Sequence, residues 1–264
     1  MFADISSANT VGYVTSTVPA SGNKTFAVTL TDCANPGDPV RVDKLLSSDN
    51  FYGNAFGSAD QIWRWDTTVN NWSKYFYERK GRPGQYTYAW KKYDTATSKA
   101  SDITDDDVVA PGETFLFRRA GGADSIVLTL SGQVSPFTAT PAYSIPASGN
   151  IFIAYPWPVE VKISALPSLV TTETAAAFYG NAFGSADQIW RWNTAVNNWD
   201  KYFYERKGRP GQYTYAWKKY NVSTSKAEDL TDDDKVNPGE GFLFRRAGGA
   251  DTISFTWKPL QAAE

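Results

Sequence analysis

The chain has 264 residues, enough for two domains of about 130 residues that each bury a core of their own. A net charge of −2 excludes the basic excess that nucleic acid or an anionic membrane surface demands, and no apolar run is long enough to span a bilayer. With no His and a single Cys, the chain lacks the commonest proton carrier near neutral pH, any zinc site built from Cys and His, and an internal disulfide.

Taken in order, Met1 is the only methionine, and Phe2-Ala3-Asp4 suit the trace of a processed leader. The composition is rich in Thr, Ser, Asn, Tyr and Trp and points to an extracellular or cell-surface setting. Alternating runs bounded by turn residues then predict strands at 10–18, 25–30, 61–65, 72–79, 85–93, 114–118 and 125–130. Between them lie turn clusters such as Asn35-Pro36-Gly37-Asp38, Gly81-Arg82-Pro83-Gly84 and Ala110-Pro111-Gly112. Strict alternation is lost at 42–46 and 162–166, which predicts short helices. Cys33 corresponds to Glu160 in the repeat described next and reads as a buried spectator.

The chain contains most of itself twice. Residues 51–131 recur without a gap as 178–258, an offset of 127, and 16 of the 81 positions differ. Outside that block Pro19-Ala20-Ser21-Gly22-Asn23 recurs as Pro146-Ala147-Ser148-Gly149-Asn150 at the same offset. The unit is too long for a solenoid repeat and matches a domain, giving copies over 1–131 and 132–264. Seven short strands per copy predict an all-β protein of two tandem antiparallel sandwich or barrel-like domains. Segments 5–50 and 132–177 share little beyond that turn and are expected to face different neighbours.

Three constellations could carry function. Tyr86, Tyr88, Trp90 and Lys92 fall on one face of a strand, repeated as Tyr213, Tyr215, Trp217 and Lys219. Rings beside cations suit a sugar ligand or self-association, while core packing is the plain alternative. The turn bearing Arg79, Lys80 and Arg82, repeated as Arg206, Lys207 and Arg209, could hold a carboxylate, sulfate or phosphate, or be a solvated loop. The runs Asp102, Asp105, Asp106, Asp107 and Asp229, Asp232, Asp233, Asp234 could hold calcium, although their spacing is not that of an EF-hand and ordinary turn chemistry also explains them. No nucleophile elbow, Cys–His pair or phosphate-cradling loop is present, so a non-enzymatic protein without a cofactor is expected, calcium being the one candidate ion.

The run Gln-Ile-Trp-Arg-Trp-(Asp/Asn)-Thr, then Asn-Asn-Trp and a Tyr-rich strand, leads to Pro-Gly-Glu-(Thr/Gly)-Phe-Leu-Phe-Arg-Arg-Ala-Gly-Gly-Ala-Asp. This pattern resembles a family of uncharacterised secreted β-rich proteins of Planctomycetes, Verrucomicrobia and Lentisphaerae. Its most specific mark is the turn at 111–115 and 238–242, and Asn9-Thr10-Val11-Gly12-Tyr13-Val14 and Ile151-Phe152-Ile153-Ala154-Tyr155-Pro156 also fit it. The resemblance implies export and no catalytic residues.

The functional expectation is a self-associating subunit of an extracellular filament or surface layer. It rests on reading the duplication as a head-to-tail contact that an open polymer would continue, with 5–18 or 252–257 as donated strands. The alternative is a tandem lectin-like module that binds surface glycans at two sites.

Overall fold

Strand periodicity prevails, and the computed structural model folds the chain into two antiparallel β-sandwiches in tandem. It describes residues 11–31, 38–47, 50–66, 69, 71–134, 142–172, 178–248 and 250–258; Cys33 lies outside them. The first sandwich comprises β1 (Val11–Val18), β2 (Asn23–Ala27), β3 (Leu30–Thr31), β4 (Val40–Arg41), β5 (Gln61–Asp66), β6 (Asn71–Lys80), β7 (Thr87–Asp94), β8 (Lys99–Asp102), β9 (Val108–Val109), β10 (Thr114–Arg118) and β11 (Ile126–Val134). Its large sheet is ordered β2-β10-β5-β6-β7-β8 and its small sheet β1-β11-β3, with β4 and β9 forming a separate pair.

The second sandwich comprises β12 (Ala142–Ile145), β13 (Asn150–Ala154), β14 (Val161–Lys162), β15 (Val170–Thr172), β16 (Gln188–Asn193), β17 (Asn198–Lys207), β18 (Thr214–Asn221), β19 (Lys226–Glu228), β20 (Lys235–Val236), β21 (Gly241–Arg245) and β22 (Ile253–Trp257). The orders β13-β21-β16-β17-β18-β19 and β12-β22-β15 reproduce the two sheets. β11 runs on to Val134, past the expected boundary at 131, because Gln133 still pairs with Val11 and Thr31.

Alternation decides what each strand buries. Phe26, Ile62, Tyr75, Phe115 and Phe117 share the inward face of the large sheet and meet Val18, Ile126, Leu128 and Leu130 of the small one. Each fully buried ring or branched chain contributes roughly 1.5–3 kcal/mol. The segments without alternation become 3-10 turns, Val42–Lys44 and Ile163–Leu169, which bury Val42 and Ile163, Leu166 and Leu169 respectively. The divergent N-terminal parts build the small sheet differently: its third strand is β3 in one copy and β15 in the other. Leu130 becomes Trp257 in the second copy, and Tyr155 fills the altered space edge-on to it at 5.7 Å.

The contact between the sandwiches corrects the head-to-tail expectation. The Ala27 N–H donates to the Gly239 carbonyl (2.9 Å), and the Ala154 N–H donates to the Gly112 carbonyl (3.1 Å). Ala154 is the repeat equivalent of Ala27, and Gly239 that of Gly112, so the partners simply exchange. Such reciprocity marks an isologous, near-two-fold contact, in which both copies use one face and the contact closes. A head-to-tail contact would instead leave a complementary face open at each end.

Near the axis the repeat gives up its identity. Thr114 faces its own equivalent, Gly241, so closely that a Cβ there would lie 2.0 Å from the Thr114 Oγ1. Two identical threonines do not fit; one must be glycine. Alongside, Thr25 Oγ1 donates to the Gly241 carbonyl at 2.8 Å, whereas the equivalent Phe152 packs on Trp72 at 4.7 Å and Trp65 at 5.9 Å.

The proposed donor strands are also engaged within the chain. β1 pairs with β11 along its whole length, and β22 lies between β12 and β15. Of the N-terminal candidate, residues 5–10 lie outside the described residues.

A paired tyrosine–arginine recess as candidate binding site

The β6–β7 register sets Tyr75 opposite Lys92, Tyr77 opposite Trp90 and Arg79 opposite Tyr88, so all six side chains share one face. Cover over that face ends part-way along the hairpin. Tyr75 is fully buried, and Trp90 packs edge-on against Phe51 (5.3 Å) and against Tyr77 (5.4 Å). Its equivalent Trp217 is only 5 % exposed. Trp90 and Trp217 therefore belong with the core, a correction to the four-residue stripe, because Phe51 and Phe178 pack over them from the loops before β5 and β16. Beyond them Tyr88 and Tyr215 are each 49 % exposed, and Tyr86 and Tyr213 each 37 %.

The exposed end forms a recess of about 300 Å³ lined by Phe51, Tyr52, Gly53, Tyr77, Arg79 and Tyr88. Tyr88 is held on both sides. One ring face stacks on Tyr77 (5.8 Å, 18°), and the other edge rests on Gly53, where a Cβ would come within 2.6 Å of the ring. The Arg79 guanidinium lies over Tyr86 at 4.8 Å from the ring centre. Burial, then the neighbouring Tyr88, raises the Tyr77 phenol, which stays neutral at physiological pH and can both donate and accept.

The second copy repeats the arrangement. Tyr204 stacks on Tyr215 (5.7 Å, 21°), Arg206 covers Tyr213 at 4.7 Å, and Gly180 abuts Tyr215. No protein family, curated protein or solved structure matches the chain. The site must be read from its own geometry.

The wall at Phe51–Gly53 is fixed by a buried ion pair that the sequence reading did not single out. The Asp60 carboxylate accepts the N–H groups of Tyr52 and Ala120, both at 2.8 Å, and pairs with Arg119. Arg119 in turn donates to the carbonyls of Asn50 (3.1 Å) and Asp124 (2.8 Å). Asp187 and Arg246 form the same pair in the second copy. One signal was available: successive arginines at a strand end must point to opposite faces, so one of Arg118 and Arg119 had to turn inward.

The other expected residues separate. Lys80 and Arg82, with Lys207 and Arg209, are exposed at the hairpin tips, Lys80 and Lys207 on the strand face opposite Arg79 and Arg206. The aspartates disperse rather than converge. Asp102 pairs with Lys91, Asp105 with Arg41, Asp229 with Lys218 and Asp232 with Lys162, while Asp106 and Asp233 are exposed. Asp107 is buried and accepts from Lys92 (2.6 Å), Tyr75 (3.0 Å) and the Thr104 N–H (3.0 Å); Asp234 does the same with Lys219, Tyr202 and Thr231. Among the described residues, no three Asp, Glu, Cys or His side chains are grouped to hold a metal ion.

Burial alone would raise the Asp107 and Asp234 carboxyls, but their donors outweigh it and hold both below the usual carboxylate range. A carboxyl depressed in the folded state stabilises above its unfolded pKa of about 3.9, and that contribution is lost as pH falls through the folded value. The melting temperature is therefore expected to drop steeply below about pH 4. In the Asp107→Asn, Asp234→Asn double variant the drop should be shallower from a lower plateau. Parallel melting curves across pH 2–7 would dismiss this assignment.

Proposed function

We propose that the chain is a non-enzymatic, bivalent glycan-binding protein of the cell surface or extracellular space. The observation that carries this reading is the doubled recess, in which an exposed tyrosine is clamped between a second ring and a bare glycine beside a guanidinium. Ring faces suit the C–H faces of a pyranose, and phenols and N–H groups suit its hydroxyls. Clamping removes rotamer freedom before a ligand arrives, which lowers the cost of binding. The lining offers rings, phenols and one guanidinium, with no carboxylate or thiol among them. Self-assembly into a filament has less support, because the like-to-like contact is isologous and the described parts of both proposed donor strands, 11–18 and 253–257, are paired.

Tyr88→Ala and Tyr215→Ala test the reading on an oligosaccharide array. Each variant is expected to lose its ring stack, about 0.5–1.5 kcal/mol, and so to melt a few degrees lower while remaining folded at the assay temperature. The double variant should lose array binding. Each single variant should bind soluble oligosaccharide at half stoichiometry and an immobilised polysaccharide about 100-fold more weakly, as avidity is lost. Unchanged array binding by the double variant would rule out the recess as the glycan site.

A further inference from the structure

Building on the glycan-binding reading, we infer that the saccharide each recess takes is anionic, carrying a carboxylate or a sulfate ester. The argument comes from which cations the fold has used. Arg64 meets Glu113, Arg119 meets Asp60, Lys91 meets Asp102 and Lys92 meets Asp107. Arg79, like Lys74 and Arg118 over Trp63, lies on a ring with no carboxylate partner among the described residues, and it alone of the three lines the recess. The Arg79 guanidinium lies on the face of Tyr86, and no side-chain hydrogen bond or ion pair engages Arg79 or Arg82 among the described residues.

Arg79 lines the recess and Arg82 stands exposed at the hairpin tip beyond it, while Lys80 alternates to the other face of β6; Arg206, Arg209 and Lys207 repeat this placement in the second copy. The arginines persist in a chain whose net charge is −2, so the positive rim is local. The guanidinium of Arg79 is further oriented by its ring, with its edge donors unengaged. A planar fork of that kind matches a carboxylate or a sulfate with two parallel hydrogen bonds. A neutral sugar would use the rings and leave the fork to water. An anionic sugar uses both, with the ring on Tyr88 and the acid group on Arg79. Glycan anions arise in two ways, as uronic acids and as sulfate esters, and the fork alone accepts either.

Calorimetry at about 0.15 M salt with tetrasaccharides of equal length separates the outcomes. The probes are a galacturonate oligomer, a sulfated galactan oligomer and neutral galactotetraose. At least one acidic oligomer is expected to bind about tenfold more tightly than the neutral one. Arg79→Ala with Arg206→Ala should bring the acidic oligomers down to the neutral affinity, and Arg79→Lys with Arg206→Lys should recover part of the difference. The acidic oligomer that wins identifies the source of the anion. Equal affinity for all three, or a preference untouched by the arginine substitutions, would overturn the inference and leave glycan binding standing. Binding of none of the three, together with an empty array, would overturn both.

Discussion

Asp60→Asn is expected to destabilise the first sandwich by about 3–5 kcal/mol, the usual result of leaving one member of a buried ion pair without its counter-charge. The side chain of Asp60 is fully buried and that of Arg119 is 4 % exposed, so water cannot replace the lost charge. Asparagine keeps the volume and can still accept one N–H. It cannot satisfy Tyr52, Ala120 and the guanidinium together. On a domain of this size the loss corresponds to a fall in melting temperature of about 10 °C or more. Replacing both partners with leucine should recover much of the loss, because the penalty lies in the uncompensated charge rather than in the missing attraction. Near-ultraviolet circular dichroism would follow the melt. A double variant no more stable than Asp60→Asn would show that the pair acts through its backbone hydrogen bonds instead.

Gly241→Thr makes the two copies more alike and is nevertheless expected to break their contact. The new Cβ would fall 2.0 Å from the Thr114 Oγ1 and 2.1 Å from its Cγ2, far inside van der Waals separation. Overpacking of a tight interior costs about 1–3 kcal/mol where neighbours can yield. Here the neighbour belongs to a strand pinned by β2 and β5, so the sandwiches must separate. Limited proteolysis of the intersandwich segment and a larger Stokes radius would report the separation. The exchanged variant, Thr114→Gly with Gly241→Thr, restores one glycine on the axis and should regain stability to within about 1 kcal/mol, a coupling that only neighbours show. An exchanged variant as unstable as Gly241→Thr alone would remove the steric account.

The strands at 61–65 and 72–79 were legible from their alternating aromatic and polar residues, and 114–118 as a short apolar run between turns, buried on both faces from Thr114 to Phe117. β8 was not, because all four of its residues are exposed and a strand bathed on both faces carries no apolar period. Alternation likewise placed Tyr88 and Trp90 on one face. How far the covering layer reaches along that face is a property of the 51–60 loop, and it decides that Trp90 packs inward while Tyr88 meets solvent. Asp60 and Arg119 are 59 positions apart, and nothing local to either announces the other. The duplication was plain, yet repetition along a chain gives order and not rotation. Only the exchanged pair Ala27–Gly239 and Ala154–Gly112 distinguishes a closed contact from an open one.

That half-turn between the copies reverses the sense of anything directional that the two recesses hold. An oligosaccharide has a reducing and a non-reducing end, and a recess with rings on one side and a cationic rim on the other distinguishes them. Two such recesses in tandem translation could follow one straight polymer, each reading it in the same sense. Related by a near-two-fold, recesses that held polymers lying across the axis would hold them antiparallel. On the glycan-binding reading, such a protein would join separate strands of a matrix rather than follow one of them.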